Sequence, residues 1–255
     1  MSTCVTQASK TTERCRLHER LESVIVEQLS LGRIVSYAAN KTVPFLRLYR
    51  YKEAFSLALV DDLLDEFAAS DKDLVFDPFT GMGTTLFAAM LRGIEAVGID
   101  RLPIAAFVAR TLPLLLDLEP RQLEETYKRL RETVDDQPPA PAAVDVNLMS
   151  RAFDQCTLTR LRKWKSAIDG LPQPLSDIFL LLFFGSIELV SYTSNDGQFP
   201  RIKRNKKVLD PDEALARKVH DAQIDIASWP VLLPHVRGPW PRPEVHLGDA
   251  RDCEL

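Results

Sequence analysis

The sequence predicts an α/β protein: part of a doubly wound parallel sheet, interrupted by a large and mainly helical insertion. Three observations carry this expectation. Residues 74–100 run strand, glycine turn, helix, strand, acid, the arrangement of half a doubly wound domain. The stretch from 119 to 228 is dominated by helical patterning, far more than the dozen or so residues a parallel crossover needs. A short strand-like segment, Glu244 to Leu247, then returns near the end and is followed by Gly248-Asp249.

Taken in order, residues 1–20 are polar, charged and at most weakly helical, and Leu21 to Ile34 carries a rough helical stripe of apolar residues. Residues 42–52 are aromatic and basic. Ser56 is placed to cap a helix carrying Leu57, Leu59, Val60, Leu63 and Leu64. Asp73 to Phe76 reads as a short buried strand. The turn Asp77 to Thr85 leads into a helix closed by Gly93, a left-handed cap, and Glu95 to Ile99 forms a second strand ending at Asp100. Pro103 opens the next helix. The run Gln137-Pro138-Pro139-Ala140-Pro141 breaks a charged helical stretch, and the apolar run Ile178 to Phe184 marks a buried element. Four segments follow: an N-terminal helical or extended piece over 1–45, an α/β core over 46–118, a helical insertion over 119–243, and a returning strand over 244–255.

Composition bounds the function. The 255 residues hold 32 basic and 36 acidic side chains, a formal net charge of -4, so any basic footprint for nucleic acid is local. Cys4, Cys15, Cys156 and Cys253 lack the spacing of a zinc or redox pair, and the four histidines are scattered, so no metal site is expected. No apolar run approaches the ~20 residues of a membrane span, and no signal peptide is visible. A cytoplasmic protein is the expectation.

The central signal is Asp77-Pro78-Phe79-Thr80-Gly81-Met82-Gly83-Thr84-Thr85. A P-loop needs a Lys before its Ser or Thr, and there is none. A dinucleotide fingerprint wants a third glycine where Leu86 stands. Asp77 at the carboxyl end of a strand would repel a pyrophosphate and suit an ammonium or sulfonium group. Gly81 and Gly83 let backbone approach a ligand closely. Asp100, 23 residues after Asp77, is placed to accept from both ribose hydroxyls. Together these point to a cationic nucleoside, S-adenosylmethionine; the bland alternative is a turn whose glycines only relieve strain.

At these residues the chain resembles the S-adenosylmethionine-dependent DNA methyltransferases that modify exocyclic amino groups of adenine or cytosine. Asp77 to Thr85 is similar to their motif I; Gly98-Ile99-Asp100 with Pro103 resembles motif II, with Arg101 beside the acid. Tyr51 to Ser56 resembles the segment that closes over the methionine end of the cofactor. Leu247-Gly248-Asp249-Ala250 resembles motif III, whose acid binds the adenine amino group. The resemblance implies a Rossmann-like sheet and a cofactor site of Tyr51, Phe55, Ser56, Asp77, Pro78, Phe79, Thr80, Gly81, Gly83, Thr84, Thr85, Asp100, Arg101, Asp249 and Ala250. It also implies a place in restriction–modification, and catalysis on a flipped base.

The family's catalytic tetrapeptide (Asp, Asn or Ser, then Pro-Pro, then an aromatic) is absent; Gln137-Pro138-Pro139-Ala140 lacks the aromatic. In this motif order it belongs on the strand after Asp249. The sheet is therefore expected to be incomplete at its C-terminal side. The 255 residues are expected to bind cofactor without methylating alone, the catalytic half lying downstream or on a second chain.

In the insertion, Arg201, Lys203, Arg204, Lys206 and Lys207 put five cations within seven residues. They are candidates for DNA phosphates, with Tyr192 for stacking and Asn195 and Gln198 for base edges. A solvated loop is the plain alternative. An RNA methyltransferase and a non-catalytic module of methyltransferase fold are the other functions the residues allow.

Overall fold

The computed structural model describes residues 4–24, 28–141, 147–194, 201–232 and 240–252. The chain divides into two units, Met1–Arg33 and Ile34–Leu255. The first holds helix α1 (Cys4–Leu21) and a 3₁₀ turn at Leu29–Arg33. The described residues of the stripe over Leu21 to Ile34 form the end of α1, a turn and the 3₁₀ segment rather than one helix, and 25–27 lie outside the described residues. Val24 and Leu29 on that stripe are exposed, and a short helix with no buried apolar face has little to hold it.

The second unit carries the sheet. Helix α2 (Leu57–Glu66) starts at Ser56, whose hydroxyl accepts from the Leu59 amide at 3.1 Å, as the sequence suggests. Strand β1 (Leu74–Asp77), helix α3 (Thr84–Leu91), strand β2 (Glu95–Asp100) and helix α4 (Pro103–Thr111) follow. Gly93 after α3 has φ of +75°, the left-handed end its residue type implied.

The remaining helices are α5 (Pro120–Thr133), α6 (Asn147–Ala152), α7 (Gln155–Asp169), α8 (Leu175–Val190) and α9 (Pro211–Leu232). Helix α9 runs past the expected end at Ser228 and takes in Pro230. Between α8 and α9, β3 (Thr193–Ser194) pairs antiparallel with β4 (Arg201–Ile202). Strand β5 (Glu244–Leu247) ends the sequence of elements.

The parallel sheet has the order β1-β2-β5, with Asp77 beside Gly98 and Gly98 beside Val245. Val75, Ala96 and Val245 face a small core with Val60 and Leu64 of α2, Leu86 and Ala89 of α3, and Ala106 and Ala109 of α4. Side chains alternate along a strand, so Leu74 and Phe76 point to the opposite face, where they are 59% and 40% exposed. Strand β1 was expected to be buried; one of its faces is bare. The larger core surrounds Trp164, Phe179 and Leu182 and takes in Leu46, Leu48 and Met82, Phe87 and Met90 of α3, and Val108 of α4.

No helix among the described residues is long and apolar enough to cross a membrane. The described residues contain no group of three or more His, Cys, Asp or Glu placed to hold a metal ion.

Candidate functional site

The glycine turn is built by backbone pairing and one missing side chain. The Thr80 amide donates to the Ile99 carbonyl at 3.0 Å, and its hydroxyl donates to the Asp77 carbonyl at 2.9 Å. This clamps the turn across the carboxyl ends of β1 and β2. Asp77 accepts from the Phe79 amide at 3.0 Å, turning the chain outward. Gly81 and Gly83 have φ of +54° and +86°, a region that penalises any side chain. Gly83 serves packing: a Cβ there would lie 2.8 Å from the Ala109 Cβ of α4. Gly81 lies under Tyr51, whose ring would be 3.2 Å from an added Cβ.

Asp100 ties the two motif segments together. One carboxylate oxygen accepts from the Gly81 amide and the other from the Leu102 amide, both at 2.8 Å. Each oxygen keeps a lone pair for a further donor. The carbonyl of Asp100 accepts from the Gly248 amide at 3.0 Å, joining the end of β5 to the same point.

A cavity of about 320 Å³ opens here, lined by Tyr51, Glu53, Ala54, Phe55, Phe79, Thr80, Gly81, Thr84, Thr85, Asp100 and Leu102. This is within the ~300–1,000 Å³ usual for ligand pockets. Phe79, Phe55 and Leu102 are unusually bare for their type, at 80%, 49% and 51% exposed. Burial and then the negative charge of Asp100 and Glu53 push the Tyr51 phenol up; among the described lining residues these two acids are the charged ones. The Thr84 hydroxyl is buried and has no hydrogen-bond partner among the described residues, although leaving such a group unpaired costs roughly 1–3 kcal/mol.

Of the cofactor residues expected from sequence, eight line this cavity: Tyr51, Phe55, Phe79, Thr80, Gly81, Thr84, Thr85 and Asp100. Ser56 is fully buried and spends its hydroxyl on the Ile34 carbonyl and the Leu59 amide. Asp77 and Pro78 shape the turn beneath, and Gly83 backs onto α4. Asp249 is bound by Arg251 at 2.6 Å and approached by Arg101 at 3.5 Å. Hydrogen bonds from Arg251 hold its carboxyl well below the usual range. Neither Arg101, Asp249 nor Ala250 lines the cavity.

The expected site did not include Glu53 and Ala54, although they lie in the resembling segment Tyr51 to Ser56, nor Leu102; all three line the cavity, and Asn40 was not singled out. The signal for Leu102 was an apolar residue just before the helix-starting Pro103, two places after the strand-end acid. Asn40 had no local signal: it is buried, donates to the Phe55 carbonyl at 2.7 Å and accepts from the Leu57 amide at 2.9 Å. It thereby holds the segment bearing Phe55.

The expected nucleic-acid residues divide. Asn195 and Gln198 lie outside the described residues. Arg201, Lys203 and Arg204 are exposed, and the Arg204 guanidinium sits 5.5 Å from the Tyr192 ring centre. Lys206 donates to the carbonyls of Glu188, Ser191 and Thr193 at 2.8–2.9 Å, closing the end of α8. Lys206 and Lys207 also line a second cavity, of about 530 Å³.

Residues 25–105 match the family model described as DNA methylase. The chain is 30% identical over 211 residues to the type II methyltransferase M.BsoBI of Geobacillus stearothermophilus, an alignment covering 79% of this chain and 40% of that protein. It is 28% identical over 225 residues to the type II methyltransferase M.AvaI of Nostoc sp. (strain PCC 7120), covering 81% of this chain and 44% of that one. M.AvaI of Anabaena variabilis gives the same figures. The chain thus spans less than half the length of these relatives. No solved structure matches it.

Proposed function

We propose, for a chain that is homologous to type II DNA methyltransferases, that these residues form the S-adenosylmethionine-binding and DNA-contacting part of an enzyme that methylates an exocyclic amino group of adenine or cytosine. The carrying observation is the cavity beneath Tyr51, where Gly81, Asp100 and an unpartnered Thr84 hydroxyl converge.

The residues fit the cofactor. Asp100 has the free lone pairs to accept from ribose hydroxyls. Phe55, Phe79 and Leu102 offer bare apolar surface for an adenine. Asp100 and Glu53 supply the negative field that a sulfonium prefers, and the Thr84 hydroxyl gains the partner it lacks. Bound there, S-adenosylmethionine supplies an electrophilic methyl group. The chain's own part is to hold and orient that group, since positioning is a large share of such catalysis. The arginine contacts of Asp249 must rearrange if its carboxylate is to meet the adenine amino group.

The Pro-Pro-aromatic tetrapeptide is not among these 255 residues. We assign the acceptors for the target amino group to residues outside this sequence, downstream or on a second chain. The bare face of β1, with Leu74 and Phe76 exposed, supports covering of that face by further elements, because parallel sheets are ordinarily covered on both faces. The DNA methyltransferase relatives favour DNA over RNA as substrate.

Calorimetry with S-adenosylmethionine and, separately, NAD tests the cofactor. Binding of the first alone, weakened by about 10-fold or more in Asp100→Ala (loss of charged hydrogen bonds), is expected. Absence of binding, or a preference for NAD, refutes the reading. Transfer of labelled methyl to DNA by the 255-residue chain alone would refute the division of labour.

A further inference from the structure

The second cavity is lined by residues 37–51, by α8, by residues 206–209 and by α9. Its walls are held by close backbone packing and by a buried carboxylate. Gly185 of α8 lets the backbone at Leu48 pass so close that a Cβ would lie 2.2 Å from the Leu48 carbonyl oxygen. Asp225 of α9, 1% exposed, accepts from the Phe45 amide at 2.8 Å and pairs with Arg47 at 2.7 Å. Residues 45–48 are therefore fastened to both helices, and the cavity is a fixed feature of the fold.

The charge in it is lopsided. In a chain of net charge -4, this wall gathers Lys41, Arg50, Lys207, Arg217 and Lys218, besides Arg47 and Lys206, against a single acid among the described residues, Glu188. Glu188 is taken by Arg50 at 2.7 Å, Asp225 by Arg47, and Lys206 is committed to carbonyls. Lys41, Lys207 and Arg217 are exposed and form no ion pair with a described carboxylate. They come from three separate stretches of chain, so their meeting is tertiary. Tyr51 lines both this cavity and the cofactor cavity.

We propose that this cleft holds the phosphodiester backbone of the DNA strand bearing the target base, with Lys41, Lys207 and Arg217 on its phosphates and Tyr51 as the wall shared with the cofactor. The assignment rests on the methyltransferase reading and adds where the strand lies. It moves the DNA footprint from the β3–β4 ladder to the cleft between residues 37–51 and α9. A strand seated here runs beside the cofactor cavity, which shares Tyr51 with the cleft.

The test uses the 255-residue chain, fluorescent single-stranded and duplex DNA, and the triple variant Lys41→Glu, Lys207→Glu, Arg217→Glu. Anisotropy titrations over roughly 50–200 mM salt should show affinity for single strands down by about 10-fold or more, and a salt slope shallower by about 2, some 0.7 per lost phosphate contact. A charge-matched variant at exposed cations elsewhere, Lys72→Glu, Arg110→Glu, Arg151→Glu, should bind nearly as the parent does. Calorimetry should show S-adenosylmethionine binding retained in both, which separates failure of the cleft from failure of the cofactor reading. Unchanged affinity and slope in the first variant, equal losses in the two variants, or tighter binding of the matching RNA overturns the proposal.

Discussion

A Cβ on Gly98 would lie 2.1 Å from the hydroxyl oxygen of Thr80. The missing side chain in β2 is what lets Thr80 lie across the strand ends and hold the glycine turn. Gly98→Ala also meets Leu86 at 2.7 Å, so two neighbours must yield. Overpacking of this kind costs about 1–3 kcal/mol. The variant is expected to melt several degrees lower and to bind S-adenosylmethionine about 10-fold more weakly, measured by calorimetric melting and titration. Unchanged affinity would mean that Thr80 does not set the cavity.

Gly83 carries two separate demands. Its φ of +86° costs any other residue roughly 1–2 kcal/mol, and Ala109 of α4 blocks a Cβ. Gly83→Ala should therefore be strongly destabilising. Adding Ala109→Gly should relieve the steric part and leave the backbone part, a positive coupling that a double-mutant cycle in urea would measure. Strict additivity would remove the assigned contact.

Thr84 separates stability from binding. Replacing it with Val removes a buried hydroxyl that has no partner. The chain without cofactor should gain about 1 kcal/mol, while S-adenosylmethionine affinity should fall. A loss of stability, or unchanged affinity, would show that the hydroxyl is not waiting for this ligand.

Asp212 is the acid-sensitive fastening of the insertion. Burial pushes its carboxyl up, but hydrogen bonds from Arg160 and Trp164 and the charge of Arg131 hold it below the usual value. A lowered folded-state value contributes stability fully above the ordinary aspartate pKa of about 3.9, lost as pH falls through the folded value. Asp212→Asn should cost about 2 kcal/mol at neutral pH, with the gap to the parent narrowing below about pH 4. Urea unfolding at both pH values checks this; a gap independent of pH would contradict it.

Lys206 and Lys207 are neighbours with different work. Lys206→Met removes the donor to three carbonyls at the end of α8 and should lower stability by about 2 kcal/mol. Lys207→Met should leave the melting temperature unchanged and weaken DNA binding. The opposite pattern would exchange the two roles.

Much of the cavity at the glycine turn was legible in the sequence because it is local. Strand, turn, helix and strand follow without interruption, so the residues from Phe79 to Thr85 and the acid at Asp100 reach their places by short-range geometry. The motif also named residues whose tasks the sequence left open. Ser56 caps a helix, Gly83 makes room for α4, and Asp249 sits with arginines; which of these serves packing depends on what lies opposite. Asn40 was invisible because its partners are 15 and 17 residues away.

The five cations of residues 201–207 were legible as a charge run, yet a run does not say which ammonium is spent on carbonyls and which faces a cleft. That depended on α8 ending beside Lys206, and on Gly185 and Asp225 fastening residues 45–48 so that Lys41 and Arg217 share a wall. Periodicity, turn chemistry and motif order determined by themselves the α/β class and the glycine turn between β1 and α3, because backbone geometry acts over a few residues. Only the tertiary structure decided the bare face of β1 and the basic cleft. Burial and charge density at a point are sums over segments that the chain brings together from far apart.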